Sequence, residues 1–276
     1  IKAMVQIEIL PLIVFALLLG IALSSLGKAA SPAVTVFQVL NRGVMQLVHW
    51  LMRLAPVGIF GLVAARIGNA GGFVGFIPEL KAVGAYALTV LLGLGLHAFI
   101  VLPLTLMFLA RRRILPYAKG MVLALLNAFS TASSAATLPL TIQGVRENNQ
   151  VSDRVSGFVL PIGATVNMDG TPLYEAVAAM FIAQVYGIEL SFSVQLIIFV
   201  TATLAAVGAA AIPEAGLITM VIVLKAAGIP IEGIGLLLVI DWLLDRFRTT
   251  VNVWGDSVGA AVIERFETSS ADSPNN

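Results

Sequence analysis

Three unbroken apolar runs open the pattern, at residues 9–27, 44–65 and 83–110. Each is long enough to cross about 30 Å of hydrocarbon as a helix. The first ends at Gly27-Lys28 and the third at Arg111-Arg112-Arg113. A basic cluster closing a span predicts a cytoplasmic position, with Lys28, Arg42, Arg146 and Arg154 on the same side and the Gly-rich stretch 67–80 opposite. The second run carries Arg53 and Arg66, which predicts contact with protein or an interface rather than with lipid alone.

Beyond residue 113 the apolar pattern is repeatedly broken. Residues 114–145 are interrupted by the small-residue run 130–139, residues 155–187 by Asn167-Met168-Asp169-Gly170-Thr171-Pro172, and residues 192–228 by 208–216. Residues 233–263 carry Asp241, Asp245, Arg246, Arg248, Asn252 and Asp256. Two of the breaks are alike, small-residue runs closing on a proline at 130–139 and 205–213. Paired interrupted segments of this kind mark inverted-repeat transporters. Broken backbone survives at membrane depth only where protein or a cavity surrounds it. The competing pattern, loosely packed straight helices with small-residue contacts, accounts for one such segment better than for two. The pattern therefore predicts an all-α polytopic membrane protein, an inverted-repeat transporter with two re-entrant helical hairpins and interrupted transmembrane helices. The polar stretch 269–276 is expected to be a disordered tail.

Composition narrows the classes. The chain of 276 residues is 59% hydrophobic and 11% charged, against about 45–50% and about 25% in soluble domains. With a formal net charge of +1 it has no basic field for a nucleic acid. The absence of cysteine excludes disulfides and thiolate sites, and the two histidines, His49 and His97, are too far apart in sequence to suggest a metal cluster. An opening on Ile1 rather than Met leads us to expect a fragment of a longer protein.

The segment from Asp241 carries the chemistry. At about 100° per residue, Asp241, Asp245, Arg248, Thr249, Asn252 and Asp256 share about 100° of arc on one helix. Each charge at mid-membrane costs about 2.5–3.5 kcal/mol on insertion scales, so this face must look inward. A structural network of Asp241 and Asp245 with Arg248 is one reading. Three acids facing one base leave negative sites, however, and favour a site for a zwitterion and cations: carboxylate for ammonium, guanidinium for carboxylate, and oxygen-rich groups for hard cations. The break at 167–172 frees carbonyls beside Asn167 and Asp169. Glu175 follows at similar depth as a candidate proton acceptor, or alternatively as a carboxylate neutralised by Arg246 or another base.

These residues resemble the glutamate transporter family, the dicarboxylate/amino acid:cation symporters. Residues 128–139 resemble its serine-rich first hairpin tip, Asn167-Met168-Asp169-Gly170-Thr171 its central break, residues 211–216 its second tip, and 241–256 its last helix. The upstream spans, with residues 54–60, resemble its fourth and fifth helices, while its first three helices are missing. The resemblance implies a homotrimer of elevator carriers in the inner or plasma membrane, with no enzymatic activity. Residues 1–68 would belong to the trimerising scaffold and 79–268 to the transport domain. It implies substrate contacts from Ser133, Ser134, Thr171, Ile212, Gly216, Asp245 for the amino group, Arg248 for the side-chain carboxylate, Thr249 and Asn252. One implied cation site uses Gly163, Asn167, Asn252 and Asp256; a second uses carbonyls of Thr165, Ala206, Val207 and Ala209; a third uses Asn167 and Asp169. Ala132 replaces the first-tip arginine of archaeal members, and Arg246 with Glu175 is similar to the excitatory amino acid transporters, which adds protons and potassium to sodium as candidate coupling ions.

An inside-negative potential opposes entry of an anion by about 2.3 kcal/mol per charge per 100 mV. Ten-thousand-fold accumulation needs about 5.5 kcal/mol more, so several cations per acidic amino acid are expected. A C4-dicarboxylate or neutral amino acid carrier leaves Asp245 or Arg248 without a partner in the ligand. An intramembrane aspartyl hydrolase built on Asp169 with Asp241 or Asp245 leaves Arg248 and both hairpins unexplained, and a pure anion channel needs no ammonium-binding Asp next to an Arg.

Overall fold

The computed structural model describes residues 9–69, 71–207, 209 and 215–271, and no strand occurs among them. Two compact units divide the chain, Ile1–Pro78 and Glu79–Asn276.

In the first unit, α1 (Ile9–Ser25) occupies the first apolar run and ends where Gly27 turns to φ +56°, the left-handed conformation glycine adopts without strain. The second run does not form one span over 44–65. Instead α2 (Ser31–Met52) stops and α3 (Ala55–Asn69) starts afresh. Pro56 has no N–H to give the Met52 carbonyl, so the helix ends there despite its apolar composition.

Helix α4 (Phe73–Leu96) runs through a wide π-type turn (His97–Val101) into α5 (Leu102–Phe108). The turn precedes Pro103, which cannot continue a regular ladder. Together Phe73–Phe108 form one of two described helical stretches long and apolar enough to cross a membrane; the other is α6 (Ile114–Thr131). Leu88, Leu92 and Phe99 stay exposed on the first stretch, a composition suited to lipid.

Helices α6 and α7 (Ser134–Gln143) pack on each other and are joined by two residues. Ala132 takes φ 49° to end α6, and the Ser133 hydroxyl accepts the Ala136 N–H at 3.2 Å to start α7, an N-cap that supplies an otherwise unpaired amide with a partner. At the far end of the pair Gly144 faces the Gly120 carbonyl so closely that a Cβ would come within 2.9 Å of it. Helix α8 (Asp153–Val166) ends where Asn167 leaves helical geometry, and α9 (Gly170–Val185) resumes three residues on. Pro172 falls in its first turn, where a missing N–H costs nothing. Helices α10 (Phe192–Val207) and α11 (Ala215–Ala227) again pack on each other. The chain closes in α12 (Ile234–Ala271), whose 38 residues span about 57 Å at about 1.5 Å each. Residues 269–271 are helical, and 272–276 of the expected tail lie outside the described residues. Helix α12 packs against α5, α6, α7, α8, α9 and α11, so its polar face is enclosed by the two helix pairs and the broken helix.

Candidate functional site

Every polar residue of the α12 face points inward. Asp241, Asp245, Arg248, Thr249, Asn252 and Asp256 are each 5% exposed or less. Arg248 donates through Nε and Nη2 to Asp245 Oδ1, at 3.1 and 2.5 Å, and its Nη1 lies 3.6 Å from Asp241 Oδ1. The Tyr174 ring sits 4.2 Å beneath the guanidinium, a face that attracts cations. The ion-pair network foreseen for Asp241, Asp245 and Arg248 is therefore present. It does not use the whole fork, since Nη1 makes no hydrogen bond among the described residues. That nitrogen faces Gly216, where a Cβ would approach it to 2.6 Å; only glycine lets the chain pass so close.

A small cavity of about 10 Å³, room for roughly one water, opens at this point, lined by Ala132, Ser134, Met168, Thr171, Ala215, Gly216, Asp245, Arg248, Thr249 and Asn252. Both helix-pair tips, the central break and α12 all contribute. Asn252 joins two of them: its Oδ1 accepts the Gly170 N–H at 2.7 Å and its Nδ2 reaches Thr171 Oγ1 at 3.4 Å. Of the expected substrate residues, Ser134, Thr171, Gly216, Asp245, Arg248, Thr249 and Asn252 line this cavity. Ser133 is buried beside it with its hydroxyl engaged as the α7 cap, and Ile212 lies outside the described residues.

A second cavity, about 390 Å³, gathers Thr105, Gly163, Asn167, Asp169, Gly255 and Asp256 within an apolar wall. Asn167 Nδ2 donates to Asp256 Oδ1 at 3.0 Å. Gly163 and Gly255 permit the approach: a Cβ on Gly163 would meet Asp256 Oδ1 at 2.5 Å, and one on Gly255 would collide with Asp169. Two carboxylates and an amide oxygen converging on one space suit a hard cation. Asp169 also pairs with His97 Nε2 at 3.2 Å. It lines this second cavity, whereas Asp245 lines the first, so the two do not form a shared-proton dyad.

The residues of the expected carbonyl site are placed as follows. Ala206 and Ala209 cluster with Met168 and Ala215 in a small buried core, and the Ala206 carbonyl accepts the Ala209 N–H at 3.1 Å. Val207 closes α10 half-buried beside them. The Thr165 side chain is exposed and bonded within its own turn to the Ile162 carbonyl at 3.0 Å.

Glu175 is fully buried in α9, where its Oε1 accepts a short hydrogen bond from Thr219 of α11. Neutralisation by Arg246 is not the arrangement found. Arg246 Nη1 donates instead to the carbonyls of Phe129 and Ser130, at 3.0 and 2.6 Å, at the C-terminal end of α6, where a cation meets the negative end of the helix dipole. Sequence reasoning assigned no role to Tyr174, Thr219 or the His97 pairing. The signals were thin: a tyrosine adjoining Glu175, and one imidazole within the apolar run 83–110.

A family model described as the sodium:dicarboxylate symporter family matches residues 1–266. Among curated relatives, a putative sodium-dependent excitatory amino acid transporter of Caenorhabditis elegans is 49% identical over 259 residues, covering 94% of this chain and 51% of that protein. Excitatory amino acid transporter 3 of Mus musculus is 46% identical over 260 residues, 94% of this chain and 49% of the relative. Excitatory amino acid transporter 1 of Ambystoma tigrinum is 45% identical over 262 residues, 94% and 47%. The chain spans about half the length of the curated relatives it matches.

Proposed function

Because the chain belongs to the sodium:dicarboxylate symporter family, we propose that it forms the substrate-handling part of a carrier that imports L-glutamate or L-aspartate together with sodium. The observation that supports this most is the convergence of α12 with both helix-pair tips and the central break on one cavity, with Asp245 and Arg248 in its wall. In that cavity Asp245 takes the ligand ammonium. Arg248 turns its Nη1 edge, which makes no hydrogen bond among the described residues, to the side-chain carboxylate, and Thr249, Asn252, Thr171, Ser134 and Ser133 complete the contacts. A dicarboxylic amino acid leaves both charges of the site paired, whereas a neutral amino acid or a plain dicarboxylate leaves one buried and uncompensated.

Sodium ions occupy the Asp256–Asn167–Gly163 corner with Asn252, the Asn167–Asp169 corner, and the carbonyls of Thr165, Ala206, Val207 and Ala209. The two tipped helix pairs are re-entrant hairpins in an inverted repeat. Residues 79–268 move as the transport domain against a trimeric scaffold that includes 1–68, in a plasma or inner membrane. The test is uptake of labelled aspartate by liposomes carrying the protein. Concentrative uptake should require an inward sodium gradient. Equal uptake with choline in place of sodium would refute the reading.

Glu175 serves as a proton carrier in this scheme, with potassium as its counter-ion on return. It is buried, and its only described hydrogen bond comes from a hydroxyl on the second helix pair, so its charge state bears on how that pair seats. Glu175→Gln is expected to flatten the dependence of uptake on external pH, whereas Thr219→Val keeps it. Superimposable pH profiles for wild type and Glu175→Gln would leave Glu175 a structural acceptor.

A further inference from the structure

The loop between α5 and α6 is tied to neighbouring segments by hydrogen bonds. The Arg112 N–H donates to the Leu106 carbonyl at 3.2 Å, and the Arg112 Nη1 to the Asn149 carbonyl at 2.5 Å. From α12, Arg265 Nη1 donates to the Leu109 carbonyl at 2.9 Å. Ala110 is buried beneath the loop. Arg111, at φ 52°, takes a backbone conformation that arginine rarely adopts. Two of the local guanidiniums are thus spent on main-chain carbonyls. Arg111 and Arg113 are exposed, and neither guanidinium has a hydrogen bond or ion pair among the described residues.

Arg111, Arg112 and Arg113 line an open groove of about 520 Å³ whose remaining wall includes Met107, Leu115 and Pro116. Leu104, Phe108 and Leu115 are exposed alongside. The site closes a membrane-spanning stretch, at the end where a basic cluster meets the anionic leaflet.

We propose that this loop binds the phosphodiester headgroup of an anionic phospholipid, with its acyl chains along the exposed apolar edge of α5. Two free guanidiniums fit phosphate oxygens bidentately. The apolar wall distinguishes a lipid from soluble phosphate, which gains nothing from Met107 and Leu115. The site lies apart from both cavities of the carrier reading and does not depend on it.

Each juxtamembrane arginine contributes about a fivefold gain for anionic lipid. The protein, reconstituted with mixed phosphatidylcholine and phosphatidylglycerol and then extracted in mild detergent, is therefore expected to retain phosphatidylglycerol preferentially by mass spectrometry. Arg111→Gln/Arg113→Gln should lower that enrichment by roughly 25-fold. Arg111→Lys/Arg113→Lys, which keeps the charge, should retain most of it and guards against simple misfolding. Equal enrichment in wild type and the glutamine variant would overturn the proposal. So would displacement of the lipid by inorganic phosphate at matched concentration, which would mark a soluble-anion site.

Discussion

Replacement of Arg248 by lysine is expected to raise the aspartate concentration for half-maximal uptake by about 10- to 100-fold. Lysine keeps the positive charge but not the fork. One charge-assisted hydrogen bond is worth about 1.5–3 kcal/mol, and each 1.4 kcal/mol is about tenfold in affinity. Lysine is the informative choice because Arg248 is wedged between Asp245, Asp241 and the Tyr174 ring. An alanine substitution would leave two buried carboxylates uncompensated, which costs about 3–5 kcal/mol and confounds lost binding with lost folding. Binding of free alanine, a ligand without a side-chain carboxylate, should differ by less than about twofold between wild type and the lysine variant. Unchanged aspartate affinity would remove Arg248 from the ligand site and leave it to the ion-pair network alone.

Asp256→Asn is expected to shift the sodium dependence of uptake to concentrations about tenfold higher or more. Asp256 is 3% exposed, its Oδ1 accepts from Asn167, and Gly163 brings the α8 backbone against it. The asparagine matches it in size and retains an acceptor for Asn167, so the fold should be kept while the formal charge offered to a hard cation is lost. Sodium titrations of uptake check this, and an unchanged sodium curve would place the coupling ion elsewhere.

Much of this arrangement was legible from residue order because membrane depth makes polar residues costly. The α12 face could be read from a 3.6-residue period alone, and exposure of 5% or less for all six members follows from the same cost. The central break was legible in Asn167 and Pro172. The break at Met52 was not, because an apolar run hides a single proline whose effect acts four residues upstream. Side-chain partners were hardest to read. Arg246 follows Asp245 by one residue, so the helix period turns it about 100° away from that inward-facing acid. From there it reaches the α6 carbonyls rather than Glu175. The pairing of His97 with Asp169 joins residues 72 apart, a contact that no local pattern encodes.

The most direct measurement of the central claim is aspartate affinity across a series of sodium concentrations, by calorimetry on the detergent-solubilised protein. Reciprocal linkage requires that an ion bound together with the ligand raise its affinity. If more than one sodium is bound with each aspartate, Kd should fall by well over tenfold for each roughly tenfold rise in sodium. An aspartate Kd that stays the same when choline replaces sodium would contradict the account.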